Sequence, residues 1–308
     1  MWNYFIRRLL QTIPIVFGVA LITFTLFHFV GGDPIIQLLG PHATASEIAR
    51  LREQYGLNDP IYVQFFRYLK EIVTLDFGRS FQSHQVISSM IKDGALISLS
   101  LTLPAFFMSL IVAIAFSMLS AFYRDTWLDR ALVIFSIAGM SISILAFILF
   151  GQYILAFQMN LFPVSGYEPG QIQYLLLPWL IWIIVSSGAD VRFFRTVFLE
   201  ELSKDYIRTA YYKGASTARV LIKHALPNAM LPIITRVVIN IPFLFLGSLL
   251  LENFFSIPGL GSMTVDAFNN ADWPVIKAMT VLGSLLYIAG NILSDLLYAK
   301  VDPRVRLN

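Results

Sequence analysis

The sequence predicts an all-α, polytopic membrane protein with six transmembrane helices, both termini inside, and a small helical segment outside the membrane between the first and second spans. Three observations lead there. Of 308 residues, 57% are hydrophobic and only 13% are charged, about half the charged share of a water-exposed domain. Apolar runs of about 20 residues, the length that crosses a bilayer core, recur along the chain. Lysine and arginine gather in alternate connecting loops.

The first span is expected at 9–30. Arg7 and Arg8 precede it like the basic start of a signal peptide, but the apolar run is too long and no small-residue cleavage site follows before "GGDP" (31–34), so it reads as a retained span. The outer segment 31–94 then carries helix signals. "SEIARLREQYG" (46–56) offers Ser46 as a cap and Gly56 as a stop. "DPIYVQFFRYLKEIV" (59–73) offers Asp59 as a cap and Pro60 at the first helical position, with Ile61, Phe65, Phe66, Leu69, Ile72 and Val73 at helical spacing. A third outer helix, about 85–92, leads into the second span at 95–122. The remaining spans are expected at 132–157, 174–195, 231–251 and 278–298. The chain divides into a tail and first span (1–30), the outer segment (31–94), a membrane domain (95–298) holding an inward loop at about 196–230, and an inner tail (299–308).

Orientation follows from the short loops. With the N-terminus inside, the cytoplasm receives Arg7, Arg8, Arg124, Arg130, the seven basic residues between Arg192 and Lys223, and Lys300, Arg304 and Arg306. The short outer loops 158–173 and 252–277 hold only Lys277. This asymmetry accounts for a pI near 9.0 without nucleic acid as a partner. Arg192 and Arg195 are expected to anchor the fourth span at the inner headgroups.

Several chemistries are excluded. Cysteine is absent, so disulfides, zinc–thiolate sites and thiol catalysis are ruled out. The four histidines, His28, His42, His84 and His224, are too scattered for a metal cluster. No phosphate-binding loop occurs, since "KGAS" (213–216) has lysine and glycine in the wrong order, and "GLGSMT" (259–264) reads as a turn beside a re-entrant or surface helix. A secondary transporter or channel not driven by ATP would carry ionisable residues deep in its spans. The middles of spans one, two, three and six have none, and Asp190, Arg192, Arg236 and Asp295 lie towards inner ends.

The inward loop contains "YIRTAYYKGAS" (206–216). Ser203 is expected to cap a short helix with Asp205 in its first turn, Lys213 in its last and Gly214 just past its end. Tyr206, Ile207, Ala210 and Tyr211 share a stripe, with Lys204, Arg208 and Lys213 elsewhere. The stripe is rich in Tyr and Ala rather than Leu and Phe. It suits either the membrane surface or a groove on a soluble partner.

The loop resembles the "EAA" loop of permease subunits in binding-protein-dependent ABC importers, whose pattern is E-A-A, three residues, G, nine residues, I-x-L-P. Gly214, Leu226 and Pro227 match, and Ala210 matches the second alanine. The glutamate position holds Arg208, the first alanine Thr209 and the isoleucine His224, as in the dipeptide/oligopeptide branch. "RRLLQTIPIVFGV" (7–19), "YGLNDPIYVQFFRYL" (55–69), "DFGRSF" (76–81), "LFPVSGY" (161–167), "SIPGLG" (256–261) and "YAKVDPRVR" (298–306) are similar to that branch in the same order. "SISILAF" (141–147) departs from it, lacking a proline that relatives often carry and with it the signal for a kink.

The resemblance implies a type I ABC importer fold and a non-catalytic subunit forming half of a translocation path. It implies a second permease subunit, a different chain, as well as two ATP-binding subunits and an extracytoplasmic substrate-binding protein. No cofactor is expected on this chain, ATP and magnesium belonging to the ATPase partners. The coupling helix would comprise Asp205, Tyr206, Ile207, Arg208, Ala210, Tyr211, Lys213 and Gly214. Leu226 and Pro227 would follow, and Pro227 and Pro232 would end a second helix before span five. Peptides lead the cargoes of related permeases, with nickel chelates, glutathione and oligosaccharides behind them.

Overall fold

The computed structural model describes residues 2–29, 34–39 and 44–301. Gly31–Asp33, His42 and the charged end of the tail, including Arg304 and Arg306, lie outside the described residues. Among the described residues every element is helical, apart from one bridge between Arg79 and Val86.

The spans are α1 (Trp2–Phe29), α5 (Ile87–Phe122), α6 (Trp127–Ser141) with α7 (Ile144–Phe150), α8 (Gln173–Leu202), α11 (Leu226–Leu246) and α14 (Trp273–Val301). Four are unbroken apolar helices, and α11 is the apolar part of a longer helical run that begins at Thr217. The third span is broken. α6 and the α7 rod, which continues as a π-helix over Gly151–Gln158, meet at 97°. No proline is needed for this break. Ser143 leaves the helix with ψ 139° and its hydroxyl accepts from the Leu145 N–H at 3.3 Å, capping the new helix itself.

Helix α5 lies along α8, and α8 along α6, forming the centre of the bundle. At Gly139 of α6 and Gly188 of α8 a Cβ would stand 2.9 and 2.6 Å from the carbonyl oxygens of Ile184 and Ser136, so glycine alone permits this backbone approach. The basic residue Arg195, expected at the headgroups, instead faces inward. Its Nε and Nη2 donate to Asp129 of α6 at 2.9 and 2.7 Å, and Nε also reaches Ser120 of α5. Arg192 is exposed. Arg236 of α11 pairs with Asp190 of α8 at 2.9 Å.

The outer segment holds α2 (Pro34–Leu39), α3 (Ala45–Gln54) and α4 (Ile61–Thr74). Two of its expected caps shift. Thr44 rather than Ser46 caps α3, because Glu47 at the third position returns a hydrogen bond to the Thr44 N–H at 3.0 Å and completes a capping box. Asp59 does not cap α4, since its carboxylate is taken by Arg67 at 2.5 Å. The expected third helix is the first turns of α5, so nothing breaks the backbone between outer segment and second span. The face of α4 is also narrower than its sequence spacing suggests. Phe65, Tyr68, Leu69 and Ile72 pack against Val16, Ala20 and Phe24 of α1 and Val281 of α14, while Ile61, Phe66 and Val73 point away.

On the outer side, α11 ends at Gly247 (φ 75°), and two short helices follow, α12 (Leu249–Phe254) and α13 (Leu260–Asn269). Glu252, fully buried, ties them together. Its carboxylate accepts from the backbone N–H of Ser248, Gly261 and Ser262 at 3.1, 2.7 and 3.3 Å. Span five thus stops before the expected residue 251, because the chain turns to bring this carboxylate to the start of α13.

Candidate partner-docking site

Helix α8 ends at Leu202 and α9 (Asp205–Tyr212) begins after a two-residue turn. Ser203 caps neither helix start. Its hydroxyl donates back to the Glu200 carbonyl at 2.7 Å and closes α8. Asp205 lies in the first turn, 3.6 Å from Arg208 one turn on. The end of α9 is a Schellman motif: Gly214 N–H donates to Tyr211 O at 2.9 Å and Ala215 N–H to Ala210 O at 3.1 Å. Gly214 has φ 79°, the left-handed conformation that an L side chain resists.

The helix has two opposed faces. Ile207 and Ala210, 2% and 6% exposed, are buried in a cluster with Phe198 of α8 and Val220 and Ala225 of the next segment. The expected stripe is therefore a real helical face, but it is turned towards the chain's own spans. Tyr206 and Tyr211 flank it, each partly exposed. The Tyr206 hydroxyl donates to Glu201, and its pKa is pushed up to about 12, first by burial and then by that carboxylate. On the opposite side Asp205, Arg208, Thr209 and Tyr212 follow the i, i+3, i+4, i+7 pattern and face outward. Tyr212, 90% exposed, is the most prominent group there. Its sequence signal was its place one turn beyond Arg208, on the stripe that carries charge. Lys213 is exposed as well.

Beneath α9 the chain runs without a loop into span five. α10 (Thr217–Arg219), with Ser216 as its flanking residue, passes into a π-helical segment, Val220–Ala225, and then into α11. Pro227 and Pro232, expected to end this helix, do not interrupt it. Pro227 sits at the start of α11 just after the π segment, where the hydrogen-bond register already changes. The Asn228 side-chain amide donates to the His224 carbonyl at 2.7 Å. Pro232 lies within α11. Leu226 packs against the same cluster as Ile207, while Pro227 is exposed.

The ten sequence-selected residues are thus brought into one inner corner with divided roles. Ile207, Ala210 and Leu226 hold α9 to the bundle, Gly214 shapes its end, and Asp205, Arg208 and Lys213 face outward. Pro227 stands at the joint to span five.

Residues 113–307 match the family described as binding-protein-dependent transport system inner membrane component. Residues 1–102 match the corresponding N-terminal family of such membrane components. The glutathione transport system permease protein GsiC of Salmonella paratyphi A is 36% identical over 99% of both chains. Its namesakes from Shigella flexneri serotype 5b and Escherichia coli K12 are each 35% identical with the same coverage.

Proposed function

The chain belongs to the family of binding-protein-dependent transport system inner membrane components, and from that premise we propose that it works as half of an ATP-driven import path with α9 as its coupling helix. It is a multi-pass inner-membrane permease. The reading adds a second permease of different sequence, two ATP-binding subunits and an extracytoplasmic binding protein. The ATPase subunits would hold ATP and magnesium, and this chain would contribute no catalytic group. The membrane domain 95–298 would line the path, with 31–94 as its outer cap.

The observation that carries the reading is the division of α9. A helix anchored by Ile207 and Ala210, and offering Asp205, Arg208, Thr209 and Tyr212 outward, can be gripped from the cytoplasm and cannot slip relative to α8 and α11. Closure of an ATPase dimer would move α9 as a rigid body together with the helix that continues into span five. Asp190 and Arg236 neutralise each other between α8 and α11, which fits a structural pair better than an ion site.

The relatives are named for glutathione, and we extend small peptides of that class to this chain as cargo. The sparsely charged spans leave selection to the binding protein.

The absence of cysteine makes the test direct. Single cysteines at Arg208, Thr209 or Tyr212, paired with cysteines along the ATPase groove, should form disulfides whose yield changes with ATP. Absence of crosslinks from all three positions, with the assembled complex still recovered, would remove α9 from the coupling path.

A further inference from the structure

A second polar site lies on the outer side, far in sequence from α9. Between α4, the 77–81 turn and the start of α14 is a cavity of about 210 Å³. Its polar lining includes Glu71 of α4 and Lys277 of α14, and its walls include Phe77, Phe81 and Trp273. The Glu71 and Lys277 charges attract each other across this space, and among the described residues they form no direct ion pair; Arg79, which also lines the cavity, donates to the His84 carbonyl at 2.9 Å. Lys277 rests over the Phe27 ring at 5.7 Å. Tyr68, which also lines the cavity, is 5% exposed, and its hydroxyl completes no hydrogen bond although Thr23 is near. Burial holds the Glu71 carboxyl above the usual carboxylate range, against the pull of Lys277 and Arg67.

Two opposite charges partly withdrawn from water, with a buried phenol beside them, are costly unless something bridges them. Few convergent polar groups set in aromatic walls are also the usual make-up of a small-molecule pocket. We propose that this cavity binds a small zwitterion, a primary ammonium seated on Glu71 and an oxyanion on Lys277, with any apolar remainder against Trp273 and Phe77. Size limits the ligand. A cavity of about 150 Å³ takes benzene, so this one suits roughly eight or nine heavy atoms on that scale. A single α-amino acid fits, and so does the ethanolamine phosphate end of a lipid, whereas a tripeptide does not. The site lies between the outer segment and the start of α14, so occupancy would clasp α4 to α14.

The test uses the intact transporter complex, without binding protein, in phosphatidylcholine nanodiscs, titrated with L-leucine and with glycerophosphoethanolamine. At least one should bind saturably, and Lys277→Met and Glu71→Gln should each weaken that binding tenfold or more. The quaternary choline counterpart, lacking N–H donors, should fail on the unmutated complex, so the chemistry is tested even where a variant folds poorly. Preference for leucine would identify the free amino acid, and preference for the headgroup would identify the lipid. No saturation with either probe, or equal binding in both variants, would overturn the proposal. The readout involves neither ATP nor α9, so it succeeds or fails independently of the coupling reading.

Discussion

Arg195 of α8 and Asp129 of α6 form a two-pronged ion pair, Nε to Oδ1 at 2.9 Å and Nη2 to Oδ2 at 2.7 Å, with the Ser120 hydroxyl of α5 closing the triangle. Three spans are thereby pinned at their inner ends. Asp129 is 5% exposed at its side chain, so Arg195→Ala strands a carboxylate. The expected loss is roughly 2–3 kcal/mol, below the full cost of a broken buried pair because Arg195 keeps some water contact. Thermal unfolding in nanodiscs should show it, and Arg195→Lys, which cannot make the fork, should recover less than half.

Gly214 tests the backbone alone. A Cβ there would touch nothing within 4 Å, yet φ is 79°. Gly214→Ala should cost about 1–2 kcal/mol by conformation only, and Gly214→Asn should cost less, since asparagine tolerates that region. Transport at unchanged expression is the measurement.

The two faces of α9 separate by labelling. In inside-out vesicles, Tyr212→Cys should react readily with a membrane-impermeant maleimide and Ala210→Cys should not. Equal labelling would mean that α9 is not seated on the bundle as described.

Tyr206 gives a pH prediction. Its raised pKa means that the folded state favours the protonated phenol. The stabilisation it provides is fully present below pH 10, the ordinary tyrosine value, and is lost as pH rises through about 12. The difference between tyrosinate titrations of the unmutated chain and Tyr206→Phe should have its midpoint near pH 12. A midpoint at 10 would mean that neither the burial of Tyr206 nor its Glu201 contact persists.

On the outer side, Glu252→Ala would leave the N–H groups of Ser248, Gly261 and Ser262 without their acceptor. At about 1–3 kcal/mol for each buried unsatisfied group, this should be the most destabilising of these substitutions. Hydrogen exchange should accelerate at the start of α13 before it does in α8.

Much of this was legible in the sequence, and the exceptions share a cause. Apolar length and loop charge placed the spans, because hydrocarbon thickness and the inner positive bias act on composition directly. The helix 205–212 and its glycine stop were legible because a glycine C-cap is local, although the expected N-cap, Ser203, closes α8 instead. Which side of that helix faces the bundle was not, since a stripe of Tyr and Ala serves burial or docking equally well until Phe198 and Val220 are known to cover it. Arg195 and Asp129 are 66 positions apart, and no local pattern joins them. The break at Ser141–Ser143 hid because a serine hydroxyl performed the task usually read from a proline. Tyr212 stands on the charged stripe, where no apolar periodicity marks it, yet it is 90% exposed.

The π-helical turn at Val220–Ala225 has a rotational meaning. Each residue of an α-helix advances the chain by about 100° around its axis, so one residue accommodated in a wider turn resets the angular phase of everything on its far side. The buried Val220 and Leu221 and the joint at Pro227 are keyed to that offset. Deleting a single residue from 220–225 would remove the residue that the wide turn absorbs and keep α9 and span five in nearly the same relative direction, whereas a deletion in the plain α-helix of α11 would swing them by about a quarter turn. In this protein the direction in which the inner knob points is set jointly by a count of residues in this run and by the Ile207 and Ala210 contacts that seat it.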